Sequence, residues 1–175
     1  MSDAITDILR FCPRCGAQAF HSDNGHRFAC AACDFVFFFN IATGSGALVL
    51  DDAGKLLVGV RAKEPDRGTY DFPGGFVDAG EGAEQALVRE LKEELNLDVS
   101  EVRYLCSFPN NYRYRGVPYR VCDVFYRAHV HDFSGIEAAD DVADFAFVDP
   151  LTVAPEQFGF ISARRALLRL REELA

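Results

Sequence analysis

The stretch 75–97 constrains the fold of this chain more than any other part of the sequence. Leucines recur there at every fourth position, at Leu87, Leu91 and Leu95. This spacing predicts a helix from about Gly82 to Leu95 with one apolar stripe. Asn96 is a suitable residue to end the helix, because asparagine tolerates the left-handed conformation found at many helix ends. The stripe predicts that one side of the helix is buried.

Three glutamates lie beside the leucine stripe, on one arc of the same helix: Glu90, Glu93 and Glu94. Glu90 and Glu94 are one turn apart, so their like charges destabilise the bare helix by about 0.2–0.5 kcal/mol. Hard oxygen ligands on one rigid face suit Mg²⁺ or Mn²⁺, which keep several waters and bridge to substrate phosphates. Arg89 precedes Glu93 by four residues and can pair with it. The alternative for such a helix is an acidic face that is only solvated.

The whole stretch resembles the Nudix box, G-x5-E-x7-R-E-U-x-E-E-x-G-U, in which U is an aliphatic residue. The matching residues are Gly75, Glu81, Arg89, Glu90, Leu91, Glu93, Glu94 and Leu97, and Asn96 replaces the final glycine. The resemblance implies a hydrolase acting on a nucleoside diphosphate linked to another moiety. It also implies that the Gly75 carbonyl and the three glutamates bind Mg²⁺ or Mn²⁺. Glu93 or Glu94 would then accept the proton of the attacking water, with Arg89 as a further member of the catalytic set.

A further metal ligand is expected downstream, because some Nudix enzymes use an additional acidic residue after the box. Asp141 is the best positional match, and Asp140 and Glu137 are its rivals. The alternative is a surface loop that is merely rich in acids.

The cysteines predict a second metal site. Two C-x-x-C pairs, Cys12 with Cys15 and Cys30 with Cys33, are separated by fourteen residues. Four soft thiolates suit tetrahedral Zn²⁺, and the spacing resembles a zinc ribbon. A redox dithiol is the alternative. The remaining pair, Cys106 and Cys122, is interpreted as small buried apolar residues.

The chain is expected to have two domains, a zinc ribbon over 1–40 and a Nudix hydrolase domain over 41–175. In the second domain, apolar runs at 46–50 and 55–60 flank a turn and predict a hairpin. Further strands are predicted at 102–108, 119–130 and 144–148, with a closing helix at 162–174. Strands mixed with two helices predict the α/β class, here a Nudix α/β/α sandwich with a mixed sheet between the helices.

The substrate is predicted less sharply than the reaction. A zinc ribbon before a Nudix domain resembles the NADH pyrophosphatase and ADP-ribose pyrophosphatase group. In that group the motif S-Q-P-W-P-F-P-x-S follows the box and marks NADH preference, but here only Ser107 and Pro109 match it. NADH, ADP-ribose, FAD and similar compounds therefore remain open.

The segment 102–122 has its own charge pattern, with four arginines, no acidic residue and several interleaved tyrosines. Guanidinium groups bind phosphates and aromatic faces stack on bases. The predicted substrate-binding residues are Tyr112, Arg113, Tyr114, Arg115 and Tyr119. The alternative is an exposed hairpin with no ligand role.

The net charge of −9 argues against broad binding to nucleic acid or an anionic membrane. No apolar run approaches the ~20 residues that cross a bilayer, and a charged N-terminus argues against a signal peptide. We therefore expect a cytoplasmic protein with a small-molecule partner. The apolar run 35–39 could serve the core or a homodimer interface. Two alternative functions are a nucleotide-sensing module without turnover and a hydrolase that removes NAD caps from RNA.

Overall fold

The computed structural model describes residues 5–175, which divide into two compact units. The first unit runs to Ile41 and includes Asn111–Arg120. The second unit comprises Ala42–Asn110 and Val121–Ala175. Residues 111–120 thus belong to the first unit, although they fall within the stretch 41–175 that the sequence assigns to one domain.

The first unit is built around a small antiparallel sheet. Its elements are α1 (Ile5–Ile8), β1 (Phe20–His21), β2 (Arg27–Cys30) and β3 (Val36–Phe38), with β2 in the centre. Phe28 is fully buried, and its ring lies 5.3 Å from that of Phe20. Tyr119, from the inserted segment, packs on Phe39 at 6.0 Å between ring centroids. The apolar core is small, and units of this size usually need a metal or disulfides in addition to their core for stability.

The second unit contains seven strands and two long helices. Their bounds are β4 (Ala42–Val49), β5 (Leu56–Arg61), β6 (Tyr70–Asp71), β7 (Gly74–Phe76), α2 (Ala83–Leu95), β8 (Val99–Tyr114), β9 (Val117–Val130), β10 (Val142–Val148) and α3 (Ile161–Leu174). A 3₁₀ turn at Pro155–Gln157 precedes α3. The tip of the long hairpin formed by β8 and β9 is the segment that belongs to the first unit.

The strands of the second unit form two sheets between the helices. One sheet has the order β7-β4-β9-β8, with β4 parallel to β9 and antiparallel to β7. The other has the order β10-β5-β6 and is antiparallel. In β4, Leu48 packs with the buried residues of α3, whereas Ala47 and Val49 pack with those of α2. This alternation places one helix on each face, as expected for strands buried on both sides, and confirms the predicted α/β sandwich.

Two sequence predictions about local structure are wrong. The runs at 46–50 and 55–60 do not form an extended hairpin, because β4 and β5 enter different sheets after a single bridge between Leu50 and Leu56. The strand predicted at 102–108 is too short, because β8 continues to Tyr114 and the chain turns at Arg115-Gly116. Both turn residues have positive φ, 47° and 84°, as tight two-residue hairpin turns require.

The two long helices agree with those predicted from the sequence at about 82–95 and at 162–174. The predicted carboxylate helix is α2, and Asn96 ends it with a φ of 53°. Within residues 5–175, none of the helices has the length and apolarity needed to span a bilayer.

Candidate active site

The orientation of α2 is set by its leucines. Leu87, Leu91 and Leu95 are fully buried, so the helix cannot rotate without exposing them. The left-handed Asn96 stops the helix directly after Leu95 and donates backbone hydrogen bonds to the carbonyls of the last turn. The three glutamates are therefore held beside buried surface, as the stripe predicts.

The glycines before α2 allow a strand to touch its carboxylates. The Gly74 N–H donates to Oε2 of Glu94 at 2.9 Å. A Cβ on Gly75 would lie 2.3 Å from Oε1 of Glu90, so only glycine leaves room for that carboxylate. The structure thus brings the backbone of β7 together with Glu90 and Glu94.

A substitution at Gly74 tests this close approach of the backbone. Its φ is 142°, and a Cβ there would lie 2.0 Å from the backbone oxygen of Ser45. We expect Gly74→Ala to destabilise the protein by about 3 kcal/mol or more, because a backbone clash cannot be relieved by a side-chain rotation. Urea denaturation measures the loss. Gly80→Ala is the matched control, since Gly80 has a φ of 97° but open space around it. Equal losses in the two variants would contradict the clash.

Arg89 is the centre of an ion-pair network. Its guanidinium donates to both carboxylate oxygens of Glu81, at 2.7 and 3.1 Å. The same group donates to Oε1 of Glu90 at 2.8 Å and to Oε2 of Glu93 at 3.1 Å. The predicted pairing of Arg89 with Glu93 is present, and two further glutamates share it. The hydrogen bonds from Arg89 lower the pKa of Glu81. Through this network Arg89 can orient the carboxylates of Glu90 and Glu93.

The three glutamates of α2 lie in different environments. Glu94 is only 5% exposed, and burial raises the pKa of its carboxyl to about 8 despite the hydrogen bond from Gly74. Burial also raises the pKa of Glu90. The side chain of Glu93 is 54% exposed. An ionised Glu94 therefore needs a positive partner, which a bound cation would supply.

The acidic loop that contains Asp140 and Asp141 is hydrogen-bonded to the backbone of α2. The Ala139 N–H donates to the carbonyl of Glu94 at 2.8 Å, and the Ala62 N–H donates to the carbonyl of Asp141 at 2.9 Å. Lys63 forms salt bridges with Asp140 and Asp141. The charge of Asp141 contributes to the raised pKa of Glu94, so this carboxylate acts on the glutamate cluster.

The four paired cysteines converge in the first unit. All four Sγ atoms lie within 4.8 Å of one another, and Cys12–Cys33 and Cys15–Cys30 are each 3.7 Å apart. A tetrahedron with Zn–S bonds of 2.3 Å has edges of about 3.8 Å. The geometry and the thiol donors are thus compatible with a Zn²⁺ site.

The predicted substrate residues lie at the hairpin tip, in the unit that carries the cysteines. The rings of Tyr112 and Tyr114 stack at 6.2 Å, and the Arg115 guanidinium lies 5.2 Å from the centroid of Tyr114. Arg113 makes contacts of its own. Tyr119 packs on Phe39, which gives it a structural role in this unit.

The polar side chains around Asp71 and Asp123 were not predicted from the sequence. Arg61 pairs with Asp71 at 3.1 Å, and Ser162 donates to Asp123 at 2.5 Å. One signal was available for Asp123, a lone acid within the apolar strand segment 121–126.

Comparison with known proteins gives a consistent result for the second unit. A family model described as the NUDIX domain matches residues 41–170. The CTP pyrophosphohydrolase of Escherichia coli is 30% identical over 71% of this chain and 93% of its own length. The NAD-capped RNA hydrolase NudC of Vibrio atlanticus is 33% identical over 60% of this chain, and the match spans 38% of its length. The crystal structure of a NUDIX hydrolase from Nitrosomonas europaea superposes with a TM-score of 0.74 at 22% identity, covering 94% of this chain and 92% of that one.

Proposed function

The chain belongs to the Nudix family, and we propose on that basis that it hydrolyses the pyrophosphate linkage of a nucleoside diphosphate derivative such as NADH, ADP-ribose or FAD. One observation carries the proposal. The buried carboxyl of Glu94 and the half-buried carboxyl of Glu90 converge on the glycine backbone of β7. Buried acids grouped in this way are expected where a cation and a phosphate group are bound.

The proposed metal ligands are the Gly75 carbonyl, Glu90, Glu93 and Glu94, with Asp141 as a further one. Carboxylate and carbonyl oxygens are the donors that Mg²⁺ and Mn²⁺ prefer. When bound, such an ion lowers the pKa of a coordinated water and neutralises charge on the diphosphate. Glu93 or Glu94 would accept the proton of the attacking water. Arg89 contacts three glutamates, which makes it a positioning residue in this proposal.

We propose that the chain consists of a zinc ribbon over 1–40 and a hydrolase domain over 41–175. In the ribbon, Cys12, Cys15, Cys30 and Cys33 would hold one structural Zn²⁺. None of the six cysteines, all of which lie in the described part of the chain, forms a disulfide, which suits the reducing cytoplasm. Val36, Phe37 and Phe38 are exposed on β3, and the homodimer expected from this apolar run stays a prediction.

NAD-capped RNA is a second candidate substrate. The NudC relatives are named as hydrolases of that substrate, although the chain covers only about two fifths of their length. The stacked pair Tyr112 and Tyr114 with Arg115 is the combination of ring faces and positive charge that binds single-stranded nucleic acid. A nucleotide-sensing module without turnover is the third candidate, and the complete glutamate set weighs against it.

A panel of substrates tests these candidates. Purified protein is incubated with NADH, ADP-ribose, FAD and a short NAD-capped RNA, with and without Mg²⁺, and the phosphate monoester products are measured. We expect Mg²⁺-dependent cleavage at the pyrophosphate linkage of at least one compound. Tight binding of one compound without product from any of them would favour the sensing module.

The raised pKa of Glu94 predicts how metal binding depends on pH. In the metal-free folded protein this carboxyl, with its pKa raised to about 8, keeps its proton up to that pH, whereas in the unfolded chain it has its ordinary pKa of about 4.5. The contribution of Glu94 to stability is therefore complete below pH 4.5 and is lost as the pH rises through 8. Metal binding needs the ionised form, so it competes with the proton below pH 8.

We therefore expect the rise in melting temperature caused by Mg²⁺ to be larger at pH 8 than at pH 6. Apparent affinity should gain about tenfold per pH unit over this window from the one proton displaced. Thermal melts at a series of Mg²⁺ concentrations measure the effect. Glu94→Gln should remove the pH dependence that belongs to this group. A wild-type response that is the same at both pH values would contradict the assignment of Glu94 as a ligand.

A further inference from the structure

Two histidines, His129 and His131, lie side by side at the end of β9, outside both the glutamate cluster and the cysteine cluster. They are two positions apart, so both side chains leave the same face of the chain. Val130 between them is buried with the leucines of α2, whereas both histidines are exposed. The two imidazole rings therefore meet on the solvent side, with their centroids 4.5 Å apart and their planes at 73°.

A hydrogen bond with Ser100, on β8, determines which nitrogen of His129 carries the proton. The Ser100 hydroxyl donates to the backbone carbonyl of His129 at 3.1 Å and lies 3.1 Å from Nδ1 of the same residue. A hydroxyl has a single hydrogen, and here the carbonyl accepts it. The hydroxyl oxygen must then accept from Nδ1–H, so in the neutral ring the lone pair is on Nε2. Histidines that bind metal ions have this arrangement, with one nitrogen free and the other held by a hydrogen bond.

The spacing of the two rings matches that of imidazoles bound to one ion at a right angle. A ligating nitrogen lies about 2.1 Å from the ion, and the ring centroid lies about 1.15 Å further along the same line. Two such rings have centroids about 4.6 Å apart for a ligand angle of 90°, and about 5.3 Å apart in a tetrahedron. The observed 4.5 Å fits the right angle. Nitrogen ligands at right angles are typical of Cu²⁺ and Ni²⁺, whereas Zn²⁺ prefers the tetrahedron.

An open cavity of about 340 Å³ beside the pair gives room for further ligands. His131 and Ser100 line it, together with Lys92, Asp98 and Asp132. Lys92 is paired with Asp98 at 3.0 Å, so the carboxylate of Asp132 leaves the lining with a net negative charge, which favours a cation. Among residues 5–175, the four cysteines are the only group of three or more convergent ligand side chains. An ion at the histidine pair would therefore complete its coordination with waters, which a cavity of this size can hold.

We propose that His129 and His131 form a transition-metal site for Ni²⁺ or Cu²⁺, separate from the cysteine cluster and from the glutamates. Imidazole nitrogens suit these ions, whereas Mg²⁺ prefers the oxygen ligands that the glutamates supply. Ser100 is the positioning residue of the site, because it orients His129. The site binds more weakly than the cysteine cluster, since the protein supplies two ligands instead of four. This inference does not depend on hydrolysis and goes beyond the proposed function.

Calorimetric titration of the untagged full chain with Ni²⁺ tests the proposal, in excess Mg²⁺ so that the glutamates are occupied. We expect the wild type to bind about one equivalent of Ni²⁺, and to bind Zn²⁺ at this site more weakly. His129→Gln and His131→Gln should each remove that equivalent, because a single imidazole cannot chelate the ion. Ser100→Ala keeps both ligands and should weaken Ni²⁺ binding by about 10-fold to 100-fold, as the loss of an orienting hydrogen bond does at other metal sites.

The matched control is His21→Gln. His21 is also an exposed histidine, but it lies on β1 without a second histidine two positions away, so its replacement should leave Ni²⁺ binding unchanged. Thermal melts show whether each variant is folded, and Ni²⁺ should raise the Tm of the wild type but not that of His129→Gln or His131→Gln.

Three results would overturn the proposal. The first is a wild type that binds no Ni²⁺. The second is an equivalent of Ni²⁺ that persists in both folded variants, His129→Gln and His131→Gln. The third is Ni²⁺ binding with an equal release of zinc, measured by metal analysis, which would assign the ion to the cysteines. None of these measurements uses turnover, so failure of the metal site and failure of the proposed hydrolase function are distinguishable.

Discussion

Glu94→Gln should reduce turnover of the best substrate by about 10³-fold while the protein stays folded. Glutamine has nearly the same shape and can still accept the hydrogen bond from Gly74, so the local structure is kept. It cannot carry the negative charge that a metal ion requires, nor accept a proton from water. The rate is measured with saturating Mg²⁺, and the free energy of unfolding by urea denaturation. Because burial already raises the pKa of Glu94 to about 8, the neutral variant should be no less stable than the wild type at pH 8.

The matched control for this variant is Glu101→Gln. Glu101 is an exposed glutamate on β8 outside the glutamate cluster, and its replacement should change turnover by less than about twofold. If Glu94→Gln keeps most of the activity, Glu94 is neither a metal ligand nor the base. Glu93→Gln then becomes the discriminating variant, since Glu93 is the more exposed of the two candidates.

Cys30→Ala should abolish the folded state of the cysteine unit. Cys30 is buried, and four thiolates around Zn²⁺ contribute about 10–16 kcal/mol of apparent binding free energy to a small module. The variant should lose about one equivalent of zinc, measured by metal analysis. It should also lose the hydrogen-exchange protection of two backbone amides, Cys12 N–H bonded to Ala17 and Ala31 N–H bonded to Ala19.

Cys106→Ala separates the metal effect from the loss of any buried thiol. Cys106 is also buried, but it lies in the core of the second unit, away from the four clustered cysteines. Its replacement should cost about 1 kcal/mol and leave the zinc content unchanged. A fully reduced wild-type protein that contains no zinc and still protects the two amides would refute the structural zinc site.

Much of the candidate site could be predicted because its determinants are local. The spacing of leucines and glutamates on one helix places them on defined faces whatever the helix packs against. The left-handed Asn96 and the paired cysteines depend on neighbours a few residues away. The polar cluster at Asp123 could not be predicted, because its partners Asn110 and Ser162 come from elements distant in sequence.

The sequence by itself therefore determined the carboxylate helix, its end, the four-cysteine cluster and the sandwich of helices around strands. Only the tertiary structure decided which sheet β4 and β5 enter and that the hairpin tip belongs to the cysteine unit. It also decided that Glu94 is buried against Gly74 while Glu93 is exposed. The physical reason is the range of the interactions: helix periodicity and metal-ligand spacing act within a few residues, whereas strand partners and burial depend on contacts between distant parts of the chain.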